Sequence, residues 1–276
     1  MNIKTLLKLS TKKLACTTIT PQLDAELLLA HVLKKERSYL YSHYDLELIS
    51  ETINHFEQLL EQRLTGKPIA YILQHKEFWT LDLIINEDVL IPRPETELLV
   101  ELALKLLPAN LNLNIVDLGT GSGAIALALA KERPNWLITA ADNSDKALLI
   151  AQKNAQNFNL TNIRFISSDW CLKLPPNKFD AIIANPPYIA EDDPHLKNSI
   201  KFEPSSALIA KKHGLEDIIT IITQAKNKLH DKGLLMLEHG YNQGNTIKKL
   251  LAANDYQHIT QYQDLAGLDR VLCATK

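Results

Sequence analysis

Cysteine is scarce in this chain. Cys16, Cys171 and Cys273 are scattered, odd in number and never paired as C-x-x-C. That excludes a zinc knuckle and a disulfide framework and fits a reducing compartment. An excess of one charge is missing too: 30 Lys and Arg stand against 32 Asp and Glu, a formal net charge of −2. A wholesale nucleic-acid coat is not expected from such a balance, although a local basic patch is compatible with it. No stretch approaches the roughly 18 consecutive apolar residues of a membrane span. Met1–Ser10 carries Lys4 and Lys8 among short apolar pieces, with no signal-peptide core behind them. The expectation is a soluble cytoplasmic protein without membrane contact. Repeats and low-complexity segments are absent as well. What remains is a 276-residue chain with 46% hydrophobic residues, enough for one large or two modest domains with a real core.

Residues 1–68 read as an all-helical domain. Thr20-Pro21 gives a cap and a proline at the first helical position. Leu23, Leu27, Ala30 and Leu33 then recur at helical spacing, with Asp24 and Glu26 early and Lys34 and Lys35 late, matching the helix dipole. Ser50 is placed to cap a second long helix bearing Ile53, Phe56, Leu60 and Leu64, closed by Gly66. Shorter helices are expected over 2–14 and 37–46. Nine Lys and Arg against eight Asp and Glu up to His75 do not make a basic nucleic-acid reader. A structural cap and a docking platform both suit such a module. Residues 69–92 turn β-rich around Phe78 and Trp79 and read as a hairpin linker. Ile91-Pro92-Arg93-Pro94-Glu95-Thr96-Glu97 is a rigid corner running into a helix over 98–107.

From Leu113 strands and helices alternate. Strands are expected near 113–118, 136–141, 162–167, 179–184, 233–238, 256–263 and 270–275. Helices are expected near 122–132, 145–157, 214–230 and 243–253. This spacing predicts an α/β fold, a mostly parallel Rossmann-like sheet covered on both faces. The short Gly267 connection predicts an antiparallel edge pair.

The chemistry sits at strand ends. Phe179–Ala184 is a buried strand that stops at Asn185-Pro186-Pro187-Tyr188. Two prolines remove two donors and leave the Pro186 carbonyl open to a ligand. With the Asn185 side-chain carbonyl and the Tyr188 ring, that makes a cradle for a planar –NH2 group. An ordinary proline turn is the plainer alternative. Asp117-Leu118-Gly119-Thr120-Gly121-Ser122-Gly123 closes the first sheet strand at a helix N-terminus. Asp142 ends the second strand, where a carboxylate accepts ribose hydroxyls. Ser168-Asp169-Trp170 follows the third, where an adenine fits. These three ends describe a nucleoside site. Gly119, Gly121 and Ala124 also satisfy the dinucleotide pattern, but an –NH2 cradle suits a methyl donor better than a hydride donor.

The combination resembles the S-adenosylmethionine-dependent methyltransferases that act on planar nitrogens. The Asn-Pro-Pro-Tyr motif is shared by adenine-amino, guanine-amino and glutamine-amide methyltransferases. Taken with the helical module 1–68, the Ile91–Glu97 corner, Asp169-Trp170 and Glu238-His239-Gly240-Tyr241, the whole chain is similar to the release-factor glutamine methyltransferases. The resemblance implies a class I methyltransferase domain over 93–276, joined by the 69–92 hairpin to a substrate-docking 1–68 domain. It implies S-adenosyl-L-methionine as cofactor and S-adenosyl-L-homocysteine as product. It implies donor binding by Asp117, Gly119, Thr120, Gly121, Ser122, Gly123, Asp142, Asp169, Trp170 and Asn185. Asn185, Pro186 and Tyr188 would act in catalysis, and Asn185, Pro186, Pro187 and Tyr188 would hold the substrate. The implied substrate is the glutamine of the Gly-Gly-Gln motif in class I peptide-chain release factors, taken by a monomer.

A nucleic-acid amino-group methyltransferase is the main rival, and a non-catalytic nucleoside-binding protein a second. His31, His43 and His55 make no metal spacing and are expected to be structural. Glu238-His239 ends a strand and reads as packing, with a place lining the substrate cleft as the alternative. Arg93 is expected to pair with the substrate loop, Glu95 or Glu97, and Glu203 to steady the clamp loop. Residues 190–206 are long enough for a lid, though a fixed surface loop fits as well.

Overall fold

A computed structural model describes residues 1–176, 178–193 and 199–276. Of the 190–206 segment read as a lid, residues 194–198 lie outside the described residues. The chain divides into two units, Met1–His75 with Lys197–Phe202, and Lys76–Leu196 with Glu203–Lys276. Among the described residues no helix is long and apolar enough to cross a membrane.

The first unit is helical: α1 (Ile3–Leu14), α2 (Pro21–Leu33), α3 (Arg37–Ser42), α4 (Ser50–Leu64) and α5 (Ile69–Leu73). Asn2 caps α1 by accepting from the Thr5 amide at 3.0 Å. Thr20 does not cap α2 as expected; its hydroxyl donates instead to Asp24 Oδ1. Ser50 is already inside α4, and Ile49 holds the cap position without a side-chain bond. The buried face of α2 is Ala25, Leu28 and Leu29, packed with Ile3, Leu14, Phe56 and Leu60. Each such side chain contributes roughly 1.5–3 kcal/mol by leaving water. Asp24 and Glu26 are not dipole decorations on a wet face. Both are buried, Asp24 paired with Arg63 at 2.8 Å and Glu26 with Arg37 at 2.7 Å. The expected strand at Ile69–Leu73 is a helix, started by Pro68 and buried at Tyr71, Ile72 and Leu73.

In the second unit a hairpin of β1 (His75–Phe78) and β2 (Leu81–Ile84) precedes α6 (Glu97–Leu106). Trp79, at the hairpin turn, takes φ +55. It is fixed by its amide donating to Glu97 and its indole N–H to Glu132. The main sheet follows: β3 (Asn114–Leu118), α7 (Ala124–Glu132), β4 (Leu137–Asp142), α8 (Asp145–Asn157), β5 (Ile163–Ser167) and β6 (Phe179–Ala184). A four-residue turn, α9 (Lys211–Gly214), leads into α10 (Glu216–Lys228), β7 (Leu229–Glu238), α11 (Gly244–Ala253), β8 (Gln257–Gln263) and β9 (Asp269–Thr275). The strand order is β5-β4-β3-β6-β7-β9-β8. All pairs are parallel except β7 with β9 and β9 with β8, as the short Gly267 connection requires. Ile182, Ala184, Leu235 and Leu237 meet Ile218, Ile221 and Ile222 of α10 in one core.

The order reverses between β3 and β6, where Leu118 faces Ala184. In open α/β sheets such a reversal leaves a crevice beyond the carboxyl ends of the two strands. Asn154 braces the crevice from behind. Fully buried, it accepts from the Ile84 amide and donates to the carbonyls of Ile84 and Ser122. Asn154→Ala orphans three buried backbone groups and is expected to cost about 2–4 kcal/mol in urea unfolding; a loss below about 0.5 kcal/mol would show the brace to be idle.

Candidate active site

The glycine turn begins where β3 ends. Asp117 is buried, and its Oδ2 accepts from the Thr120 hydroxyl at 2.6 Å. Its Oδ1 is buried with no hydrogen-bond partner. Burial pushes this carboxyl up to about 7 despite the Thr120 bond, and nearby Asp142 adds to the shift. Gly121 has φ +56 with nothing near its missing side chain, so the bare backbone faces the cavity. Gly123 has φ +87, and a Cβ there would meet Leu127 at 2.8 Å, so the turn closes tightly onto α7. Thr120 and Ser122 are buried and do not line the cavity; they hold the turn's shape.

At the end of β4, Asp142 Oδ2 accepts from the Gly121 amide and Oδ1 from the Ser144 amide, both at 2.9 Å. Burial raises its pKa, and those amides partly offset the rise. Each oxygen keeps a lone pair for a further donor. After β5, Trp170 takes φ +45. Its ring lines the cavity, and its Nε1 donates to Asp217 Oδ1 at 3.2 Å. Asp169, expected here, is exposed and does not line the cavity; Ser168 takes its place. The left-handed turn at Trp170 accounts for the exchange, because it redirects successive side chains.

After β6, Asn185 and Pro187 line the same cavity, whose volume is about 260 Å³. Asn185 Nδ2 donates to Thr96 Oγ1 at 3.0 Å. Among the described residues nothing claims the Pro186 carbonyl. Tyr188 is partly buried, and its hydroxyl donates to Glu238 Oε1 at 3.3 Å. Burial first, then the Glu238 charge, raises the phenol's pKa. Behind the loop the Tyr188 carbonyl accepts from Gln243 Nε2 at 3.0 Å. A Cβ on Gly214 would lie 2.1 Å from that same carbonyl. Lys212 and His213, just before it, hold φ +52 and +57, so three successive left-handed residues back the loop. Such strain persists only where surrounding contacts enforce it.

Arg93 pairs with Glu203 at 2.5 Å rather than with Glu95 or Glu97. Glu203 also accepts from the Ile91 amide, so it pins the proline corner. His239 is buried, its ring nitrogens meeting the Gly240 carbonyl and the Gln261 amide. His31 stacks on His75 with centroids 6.4 Å apart. Asp217, and Glu87–Leu90 from the hairpin side, also line the cavity, and no local sequence pattern marks them. Thr96 lies in the proline corner, and its contact with Asn185 joins that corner to the loop after β6.

The fold is similar to that of a methyltransferase from Pyrococcus furiosus, with 19% identity and a TM-score of 0.55 over 80% of this chain and 98% of that one. Residues 95–214 match the methyltransferase small domain family, and residues 5–73 match the PrmC N-terminal domain family. Fold and match together define a class I methyltransferase that uses S-adenosyl-L-methionine. The chain is 48% identical to the release factor glutamine methyltransferase of Coxiella burnetii over 100% of this chain and 99% of that protein. It is 45% identical to the Pseudomonas aeruginosa protein of the same name over 91% of each. The chain belongs to the release factor glutamine methyltransferase family. The cavity fits the cofactor's chemistry: it offers a bare glycine backbone, a carboxylate with spare acceptors and an indole face, and a buried carboxyl oxygen without a partner lies just behind the turn.

Two buried carboxyls carry a stability signature. Folding raises Asp117 from 3.8 and Glu238 from 4.5, each to about 7. Between those limits the folded state holds protons that the unfolded chain has released, so these two groups favour the fold at low pH and lose that contribution as pH rises towards 7. Asp117→Asn has no such loss. Its melting temperature, measured without cofactor, is expected to gain on wild type as pH rises from 4.5 to 7; a pH-independent difference would contradict the assignment.

Proposed function

We propose that this protein transfers the methyl of S-adenosyl-L-methionine to the side-chain amide nitrogen of the glutamine in the Gly-Gly-Gln motif of class I peptide-chain release factors. The observation that carries the reading is the pair of acceptors at the end of β6: the Asn185 side-chain carbonyl and the unclaimed Pro186 carbonyl beside the donor cavity. Full-length similarity to release factor glutamine methyltransferases supports the choice of an amide over a nucleobase. Residues 1–68, which overlap the span 5–73 matched to the PrmC N-terminal domain family, are the docking platform in this reading, and 93–276 the catalytic part.

The bound cofactor supplies a methyl group activated by a sulfonium. The glutamine amide is a poor nucleophile, because its lone pair is delocalised into the carbonyl, so alignment matters most. Asn185 Oδ1 and the Pro186 carbonyl accept the two N–H groups and fix the nitrogen at the cavity. The same two oxygens favour positive charge as it develops on nitrogen. No strong base is needed early, since the proton becomes acidic only as the new bond forms. The Tyr188 ring packs on the amide plane. Asp142 takes the ribose hydroxyls, Trp170 and Ser168 border the adenine, and Gly119 and Gly121 admit the cofactor to the backbone. Asp117 steadies its aminoacyl end directly or through water.

Asn185→Ala is expected to lower kcat about 100-fold on a release factor while donor Kd changes little. A release factor with the Gly-Gly-Gln glutamine replaced should accept no label from labelled donor. Equal labelling of both, or labelling of nucleic acid instead, would overturn the substrate. Asp142→Ala is expected to weaken donor binding by about 10- to 100-fold in calorimetry; an unchanged Kd would remove it from the ribose site.

A further inference from the structure

The loop after β6 is stiff and is anchored on the side away from the cavity. Pro186 and Pro187 fix two successive φ angles, so a displacement at Tyr188 is carried back to the Pro186 carbonyl instead of being absorbed on the way. The Tyr188 carbonyl accepts from Gln243 Nε2 at 3.0 Å. Gln243 lies outside the cavity lining, at the N-cap position of α11. The same Nε2 is 3.4 Å from the carbonyls of His213 and Gly214. One side-chain amide thus joins the loop to the turn that leads into α10.

The polarity of that amide is decided by backbone groups. Gln243 Oε1 accepts from the Gly240 amide at 2.9 Å, and the Gln243 backbone amide donates to the Gly240 carbonyl at 2.9 Å. A backbone N–H only donates and a carbonyl only accepts, so Oε1 faces Gly240 and Nε2 faces Tyr188. The turn from Gly240 to Gln243 therefore holds this residue by main chain and side chain alike, before any ligand arrives.

The facing turn is shaped around the same point. At Gly214 the backbone comes so close that a Cβ would lie 2.1 Å from the Tyr188 carbonyl oxygen and 2.8 Å from Gln243 Nε2. Lys212 and His213 before it are left-handed, a costly backbone for residues with side chains. What that run achieves is to bring two more carbonyls to one Nε2. Resting on the clamp reading of Asn185 and Pro186, we propose that Gln243 is the positioning residue of the Asn185–Tyr188 loop. By holding the Tyr188 carbonyl it sets where the Pro186 carbonyl points, and it acts on the substrate nitrogen only through that loop.

Gln243→Met keeps the length and removes the donor, whereas Gln243→Glu keeps the shape and turns an ionised acceptor towards three carbonyls. On a release factor, Gln243→Met is expected to lower kcat about tenfold and Gln243→Glu further, with the Kd for S-adenosyl-L-methionine changed by less than about twofold. An unchanged kcat in both variants, or an equal loss of S-adenosyl-L-methionine affinity, overturns the proposal. A second readout needs neither cofactor nor substrate. Tyr71-Ile72 and Tyr188-Ile189 are the two Tyr-Ile pairs of the sequence. Protein labelled with carbonyl-13C tyrosine and 15N isoleucine therefore gives two correlated signals, and Tyr188→Phe identifies one of them by its loss. The Tyr188 carbonyl signal should move in both Gln243 variants while that of Tyr71 stays in place. An unmoved Tyr188 carbonyl overturns the anchor. If wild type binds S-adenosyl-L-methionine yet methylates no release factor, the clamp reading fails instead, and the carbonyl signal still tests the anchor.

Discussion

Strands β3 and β6 run side by side with Leu118 opposite Ala184, and what the molecule does depends on that one register. Each strand ends within a residue of the other, so the glycine turn and the Asn185 loop open into one cavity. A slip would not merely shift the loops. In the proposed reading it would separate the backbone that admits the cofactor from the carbonyls that hold the acceptor nitrogen. The register is held because both strands are buried on two faces, with Val116, Leu118, Ile182 and Ala184 all fully covered. The pattern that makes β6 a featureless apolar run is also what makes its endpoint well defined.

The same edge gathers Asp117, Asp142 and Glu238, three acids whose burial raises their pKa. A structure optimised for stability would replace some of them with apolar residues of like volume. Their retention has a physical rationale in each case. Asp117 and Asp142 shape the glycine turn through the Thr120 hydroxyl and the Gly121 amide. Glu238 supplies an acceptor to the Tyr188 hydroxyl. Cofactor binding adds donors where these carboxyls have spare lone pairs, so bound protein is expected to be more rigid than free protein at this edge.

Much of the catalytic sheet is readable from sequence, because strands such as Phe179–Ala184 are apolar runs of strand length that end at turn chemistry. The misreadings have specific causes. Ile69–Leu73 carries β-favouring residues, but tertiary burial and Pro68 at its start make it a helix. Asp24 and Glu26 look like solvated helix charges until Arg63 and Arg37, 39 and 11 residues away, are brought to them. Candidate residues at strand ends are legible because topology forces strand ends together. Asp217 and Glu87–Leu90 are not, since nothing local marks them. Asp169 was placed in the cavity because its neighbours belong there; the positive φ at Trp170 is a non-glycine conformation that no sequence pattern announces.

Why the clamp uses an amide at position 185 follows from its surroundings. Aspartate there would offer acceptors in any orientation. It would also place another carboxyl at an edge that already holds Asp117, Asp142 and Glu238, and like charges at close range force protons back onto one another. A protonated acid at the clamp would present a donor to the substrate nitrogen, the wrong polarity. Asparagine avoids that repulsion, but its neutrality brings an ambiguity that a carboxylate does not have. The neighbour that meets the Nδ2 end of this amide is the Thr96 hydroxyl, at 3.0 Å. The proline corner is thus joined to the Asn-Pro-Pro-Tyr loop through that contact.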